Sequence, residues 1–351
     1  MKQKNTTQAI SGNSSKGFFV HTSYFKSSKN GIGNDSRQLI LMLEKLGYGA
    51  IAGKIESRFI LKMLSLMQVR MQSKRASFNF IPQISPPIYR GRKLVRCHDV
   101  FPISNPEWFK FLSRWNFKIG LVLLRNSIFI VNSRYTKSEL LKIYPKLKDS
   151  IYVVYCQVRN FHTVKKCSSC HVCNQLDIFP GKKTVIAVGT LEPRKNYVNL
   201  LQAWEISNLS RSSFILVIVG KKGWKYRKIL QQYKKATSGV FLIDDACDYA
   251  LATLYKKSLI LISNSISEGF NLPVAEALSF GKKVLISDIP VHREIYGQYA
   301  NFFPLQSADK LARFLSSNLE YLCDENREIK FNSLEDQSGK NLSRALEVLL
   351  S

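Results

Sequence analysis

Acidic residues are scarce in this chain, and long apolar runs are missing altogether. Its 351 residues include 25 Asp and Glu against 52 Lys and Arg, a formal net charge of +27. No apolar stretch approaches the ~20 residues that a helix needs to cross a bilayer, so a membrane-spanning helix is not expected. Residues 1–16 are rich in Asn, Gln and Ser and lack an apolar centre. They read as a disordered tail and not as a secretory leader, which makes a cytoplasmic protein the expectation. RNP, KH and helix-turn-helix patterns are also missing, which argues against nucleic acid as the partner of all this positive charge.

The charge that is present is unevenly placed. Residues 1–150 carry 26 Lys and Arg against seven Asp and Glu, whereas residues 151–351 carry 26 against 18. A field of this kind draws in an anionic surface, such as the negative cytoplasmic leaflet of a membrane. The seven cysteines are an odd number in a chain without an export signal, which points to thiols and not to a disulfide framework. Cys167-Ser-Ser-Cys170-His171-Val-Cys173 is the one cluster. Its start matches a haem-attachment pattern and its four sulfur and nitrogen groups are those of a zinc site. Haem attachment needs an exported protein, and four ligands within seven residues is tighter than the separated pairs of most zinc sites. The segment therefore reads as an exposed linker insertion, and whether it binds a metal stays open at this point.

Short β-branched runs alternate with helical patterns, the mark of βα units around largely parallel sheets. Residues 17–158 form a first such domain: strand Phe18–Thr22, a glycine-containing loop, a helix through Arg37–Leu46, strand Lys93–Cys97, a helical stretch Pro106–Gly120, strand Ser127–Val131 and a helix capped by Ser133 or Thr136. Residues 159–183, polar and aperiodic, read as a linker. A second α/β domain spans 184–337, with strands Thr184–Val188, Phe214–Val219, Val240–Ile243, Leu259–Ser263 and Lys283–Ser287, and residues 338–351 form a terminal helix. Asn196 is expected to cap helix Tyr197–Ile206, and Asp248 to cap helix Asp248–Lys257.

Chemistry concentrates in the second domain. Ser267-Glu268-Gly269-Phe270-Asn271-Leu272-Pro273-Val274-Ala275-Glu276 places two carboxylates eight positions apart, around a loop and a helix start at Pro273. Ligands of α/β sheets bind at the carboxyl ends of strands, so Glu268 and Glu276 both belong at that crevice. The amides near Phe270, Asn271 and Leu272 lie where a helix N-terminus leaves donors without intrahelical partners. Gly189, Arg194 and Lys195 follow another strand and precede a helix, an arrangement suited to neutralising phosphate. The cluster Asp244-Asp245-x-x-Asp248 reads as a capped helix start and not as a metal site.

Three stretches now carry a resemblance: Val188-Gly189-Thr190-Leu191-Glu192-Pro193-Arg194-Lys195-Asn196, Ile218-Val219-Gly220-Lys221-Lys222-Gly223-Trp224, and the pair Glu268-x7-Glu276 followed by Gly281 and Lys283–Glu294. Together they resemble the family 4 (group 1) retaining glycosyltransferases over residues 184–295. The first half is similar more thinly, through Asn30-Gly31-Ile32-Gly33, His98-Asp99-Val100-Phe101-Pro102 and Val131-Asn132-Ser133-Arg134-Tyr135-Thr136-Lys137. The resemblance implies a GT-B fold of two facing Rossmann-like domains with the active site in the interdomain cleft. It implies a hexosyltransferase that uses a nucleotide diphosphate sugar, with mannose favoured, and extends a glycan or lipid-linked acceptor of a surface polysaccharide.

Residue roles follow from the same resemblance. Arg194 and Lys195 would hold the donor diphosphate, Glu276 the ribose hydroxyls and Glu268 the transferred sugar. Amides at Phe270, Asn271 and Leu272 would meet sugar hydroxyls and the distal phosphate. His98 would reach the sugar from the first domain, and Gly31, Gly33 and Gly189 would admit the donor. No cofactor or metal is required, and retention would proceed without a covalent intermediate. Asp244 stands where the family usually has Gly, which leaves the nucleotide base open.

Two amphipathic stretches add a second theme. Ser57–Gln72, followed by Lys74 and Arg75, and Trp108, Phe109, Phe111, Trp115 and Phe117 among Lys110, Arg114 and Lys118 mix apolar and basic residues. They fit either a peripheral membrane-facing surface or two core helices whose charges reach water. Competing readings are a nucleotide-sugar epimerase of the same fold, a non-catalytic basic binding protein, and a silent scaffold.

Overall fold

Among the described residues twelve parallel strands form two sheets of six, because the β-branched runs are short and each is followed by a crossover. The computed structural model describes residues 16–21, 31–53, 71–87, 90–161, 164–167, 170–174, 181–236, 239–244, 246–324, 331 and 334–351. Two units divide the chain, residues 1–157 with 334–351, and residues 158–333.

In the first unit the strands are β1 (Gly17–His21), β2 (Gly49–Gly53), β3 (Phe78–Ile81), β4 (Lys93–Cys97), β5 (Ile128–Val131) and β6 (Ile151–Val153). Their spatial order is β2-β1-β3-β4-β5-β6. Phe18, Phe78, Phe80, Leu94, Ile128 and Ile130 line one face of this sheet. The C-terminal helix Glu335–Leu350 covers that face with Leu342, Ala345, Leu346 and Leu349, so it completes the first unit. Ser338 Oγ accepts from the Tyr155 amide at 3.0 Å, and Asn341 Nδ2 donates to the Val153 carbonyl at 2.7 Å. The terminal helix, expected over 338–351 to complete the second domain, belongs to the first unit instead. Helix Gly31–Lys45 packs into the same cluster with Leu39, Met42 and Leu43, and the last apolar stripe of the chain completes it.

In the second unit the strands are β7 (Lys183–Val188), β8 (Phe214–Val219), β9 (Val240–Ile243), β10 (Ile260–Ser263), β11 (Lys283–Ser287) and β12 (Asn301–Phe303). Their order is β12-β11-β10-β7-β8-β9. All six residues of β8 are buried, as expected of a central parallel strand covered on both faces. After β9 the chain returns to place β10 beside β7. The order reverses there, at the kind of switch point where open α/β sheets bind their ligands.

Several boundaries differ from expectation. The first helix is Gly31–Lys45, so Gly31 and Gly33 lie in its first turn and not in a loop before it. The stretch from Pro106 is a short turn, Pro106–Trp108, and a separate helix Phe111–Leu123. Ser133 caps helix Arg134–Ile143 by accepting from the Thr136 amide. Asn196 precedes helix Tyr197–Ser207 in a left-handed conformation without a side-chain cap bond. Helix Asp248–Lys257 is capped by the thiol of Cys247, which accepts from the Ala250 amide, and not by Asp248. The stretch expected as an exposed linker, 159–183, falls within the second unit, and its Cys170 and Cys173 are buried. The tail 1–15 and the amphipathic residues 57–70 lie outside the described residues.

Candidate functional site

The loops after β7 and β8 are built to approach each other closely. Gly189, at the end of β7, has φ +151° and a Cβ there would sit 2.9 Å from Lys195 Cε. A Cβ on Gly220, at the end of β8, would fall 1.9 Å from the Gly189 carbonyl oxygen. Gly223 is similarly tight, with Leu191 O at 2.9 Å from a built Cβ. These three glycines let strands and loops interlock where no side chain fits. The turn Pro193–Lys195 then carries Lys195 into the interior, where it is buried despite its charge.

Glu268, on the loop after β10, is the group that makes this burial tolerable. Its Oε1 lies 2.6 Å from Lys195 Nζ and accepts from Ser265 Oγ at 2.7 Å, while its Oε2 pairs with Arg194. Arg194 also pairs with buried Glu192 and donates to the Ser267 carbonyl at 3.3 Å. The Arg194 carbonyl accepts from the Ile266 amide at 2.8 Å, which ties the loops after β7 and β10 by backbone as well. Burial works against the Glu268 charge, but Arg194 and Lys195 outweigh it and hold the carboxyl down at about 2. Glu268 is therefore an anion throughout the physiological range and does not serve as a general acid.

Asn271 connects this cluster to a second layer. It sits at φ +73° before helix Leu272–Ser279, a conformation Asn adopts more readily than most residues. His292 Nδ1 faces the Ser287 carbonyl at 2.8 Å, so Nδ1 carries the proton and Nε2 accepts from Asn271 Nδ2 at 2.9 Å. Asn271 Nδ2 also donates to Ser263 Oγ, which leaves Oδ1 to accept from Lys195 Nζ at 3.3 Å. Burial pushes His292 down to about 4, and it is neutral at pH 7. Tyr296 Oη donates to the carbonyls of Phe270 and Asn271, each at 3.0 Å, and fixes the loop.

Glu276, in the same helix, belongs to a separate cluster. Its Oε1 accepts from Arg159 Nε at 2.8 Å and its Oε2 from Tyr255 Oη at 2.9 Å. Arg159 Nη1 also reaches Asp248 at 2.8 Å, and its guanidinium lies 4.6 Å from the Phe161 ring centre. Each Glu276 oxygen keeps a lone pair for a further donor. Arg159 carried no role in the sequence reading because it stood at the edge of an apparent linker. Its partners lie 89 and 117 positions away, and no local pattern signals them. Asp244 makes a long, exposed pair with Lys222 at 3.7 Å, and Asp245 lies outside the described residues.

In the first unit, His98 follows β4 and has partners on both ring nitrogens. Nε2 meets the Pro82 carbonyl at 3.1 Å and Nδ1 lies 3.6 Å from Asp35 Oδ2. Burial pushes it down to about 4, so it too is neutral. Asp35 receives both Arg96 Nε at 2.8 Å and Arg96 Nη2 at 3.0 Å, a fully buried bidentate pair. Gly31 and Gly33 share the helix of Asp35; Gly31 has open space at its Cβ position and Gly33 is buried. Helix Phe111–Leu123 exposes Phe111, Leu112, Trp115, Ile119, Val122 and Leu123 along one stripe, flanked by exposed Lys110 and Lys118. Trp108 and Phe117 pack inward instead, against Phe101 and the core. Among the described residues no helix is long and apolar enough to cross a membrane.

Two cations gathered by a buried carboxylate at the switch point of a parallel sheet define a class. Residues 173–328 match the family model of glycosyl transferases group 1, and the second unit is a domain of that family. The chain as a whole has the two-domain α/β fold of the GT-B type. Sucrose-phosphate synthase from Thermosynechococcus elongatus superposes with a TM-score of 0.63 at 14% identity, over 96% of this chain and 95% of that one. WaaG, a glycosyltransferase involved in lipopolysaccharide biosynthesis, gives 0.62 at 13% identity, over 94% and 95%.

Curated relatives agree with this class. Serotype-specific mannosyltransferase WbdA from Escherichia coli is 36% identical over 131 residues, which are 36% of this chain and 16% of WbdA. O-antigen chain mannosyltransferase B from Escherichia coli is 24% identical over 244 residues, covering 67% of this chain and 64% of that protein. The chain thus spans about a sixth of WbdA.

Proposed function

We propose that this protein is a retaining hexosyltransferase that moves a sugar, with mannose favoured, from a nucleotide diphosphate donor to a glycan or lipid-linked acceptor. The observation that carries the reading is the convergence of Arg194 and Lys195 on Glu268 between β7 and β10. A donor diphosphate entering this crevice meets two preorganised cations and the first-turn amides of helix Leu272–Ser279. These groups stabilise the negative charge that grows on the leaving nucleoside diphosphate. No metal is needed for that step. Glu268, ionised at neutral pH, orients Lys195 and accepts a sugar hydroxyl on its remaining lone pair. Glu276, held by Arg159 and Tyr255, offers its two oxygens to the ribose hydroxyls. His98, a neutral imidazole in the first unit, is assigned to the transferred sugar, and Gly31 and Gly33 to approach of the donor. The mannosyltransferase names of the relatives support the choice of sugar, as does a surface polysaccharide as product.

The exposed stripe of helix Phe111–Leu123, set in the basic half of the chain, docks on an anionic membrane surface. That arrangement brings the enzyme to a lipid-linked acceptor. Binding to anionic vesicles is expected at low salt and to weaken steeply as salt rises. Protein that stays in the supernatant at low salt refutes membrane docking.

A thermal-shift screen against nucleotides and nucleotide sugars tests the donor reading, since a bound ligand raises the midpoint by mass action. One nucleotide class is expected to shift it selectively. Lys195→Ala and Glu268→Ala are each expected to abolish transfer while the fold persists by circular dichroism. Full activity in either variant overturns the mechanism. Donor turnover without any acceptor would identify an epimerase instead.

A further inference from the structure

Three thiols from distant parts of the chain meet in the second unit. Cys170 precedes the short turn His171–Asn174, Cys173 lies within it, and Cys247 stands at the start of helix Asp248–Lys257. Their sulfur atoms all lie within 4.8 Å of one another, with Cys173 and Cys247 at 3.3 Å. No disulfide joins them. Cys170 and Cys173 are buried, and Cys167, Val172, Ala246 and Tyr249 pack around the cluster.

We propose that Cys170, Cys173 and Cys247 bind a structural Zn²⁺, with Cys167 as the fourth ligand. Zinc–sulfur bonds of about 2.3 Å in a tetrahedron place sulfurs roughly 3.8 Å apart, a spacing these thiols reach with small side-chain rotations. A C-x2-C pair closed by a ligand from a remote helix is the pattern of a structural zinc staple. Cys247 provides a second argument. Helix N-caps favour Ser, Thr, Asp or Asn, and a thiol at that position makes a weak cap. Its placement is explained by a metal. Each bound thiol releases its proton as the ion enters.

The staple has a consequence for the donor site. It pins Cys170 and Cys173 to the start of helix Asp248–Lys257, and Arg159, in the same unit, reaches both Asp248 and Glu276. Zinc thereby positions Arg159 against Glu276 without touching the reacting atoms.

Elemental analysis of the full-length protein, purified from zinc-supplemented cells, is expected to show about one zinc per chain. Cobalt substitution should give a thiolate charge-transfer band in the near ultraviolet. Cys247→Ser should lose both signals, and Cys167→Ser should weaken retention. If Cys247→Ser fails to fold, chelator treatment of the wild-type protein decides: its melting midpoint should fall and recover on adding zinc. Absence of zinc together with indifference to chelator and added zinc overturns the proposal. A mass lower by two hydrogens, locating a Cys173–Cys247 disulfide, overturns it as well, as does a Cys247→Ser variant that retains zinc unchanged.

Discussion

His292 Nε2 accepts a 2.9 Å hydrogen bond from Asn271 Nδ2, and this contact orients the amide whose oxygen faces Lys195. His292 touches no cation itself, so it acts by positioning. His292→Phe keeps an aromatic ring but removes one hydrogen-bond partner from the Ser287 carbonyl and one from Asn271 Nδ2. A loss of about 1–3 kcal/mol in stability is expected. A fall of roughly tenfold or more in kcat is expected as Lys195 loses its fixed placement. Urea denaturation and steady-state kinetics of the variant measure both. An unchanged kcat with only lower stability would mean that His292 is structural alone.

Arg159 bridges Asp248 and Glu276 through different nitrogens of one guanidinium. Arg159→Ala removes the main cation beside buried Glu276, and a destabilisation of about 3 kcal/mol is expected. Nucleotide affinity, measured calorimetrically, should drop while the affinity for the acceptor stays the same. Arg159→Lys should rescue little, because one ammonium lacks the planar fork that serves both carboxylates.

Gly220 and Gly31 make a contrasting pair. Gly220→Ala forces a Cβ to 1.9 Å from the Gly189 carbonyl, whereas a Cβ on Gly31 meets nothing within 4 Å. Gly220→Ala should cost about 4 kcal/mol or more and shift β8 against the loop after β7. Gly31→Ala should stay within about 0.5 kcal/mol of the parent, as an open helical position. Melting curves of the two variants test this, and any activity loss in Gly31→Ala would come from donor approach and not from folding.

Stability should decline on acidification in two stages. His98 and His292 are pushed from an ordinary 6.5 down to about 4 by burial. As pH falls through 6.5 the unfolded chain takes up their protons while the folded chain refuses them. Stability is lost between about pH 6.5 and 4, by about 3 kcal/mol per histidine at most. Glu268, held at about 2 against an ordinary 4.5, contributes stability that is present above pH 4.5 and is lost as pH falls toward 2. Denaturant midpoints from pH 8 to 3 should show the first stage, and His98→Gln should reduce its slope.

Much of this arrangement was legible in local pattern. Strand β8, helix Asp248–Lys257 and strand β11 fall where apolar runs and punctuation placed them. Gly189, Arg194, Lys195, Glu268 and Asn271 were singled out by motif and do meet in space. Other strands escaped because their local signal is weak. Gly49–Gly53 is glycine-rich and Asn301–Phe303 has three residues, so pairing in a sheet and not composition makes them strands. The Cys247 cap was missed because the neighbouring Asp248 is the better cap by propensity, and its carboxylate is spent on Arg159 instead.

The amino-acid sequence by itself determined the α/β class, the two-domain plan and the identity of the charged loops. Short-range periodicity, glycine spacing and strand-end motifs are properties of neighbouring residues. Only the tertiary structure decided which charges are buried together. It set Lys195 and Arg194 on Glu268, Arg159 on Glu276, Arg96 on Asp35 and the terminal helix on the first sheet. Burial of a charge is tolerated only beside its partner, and those partners are brought together by strand order, which reverses beside β7.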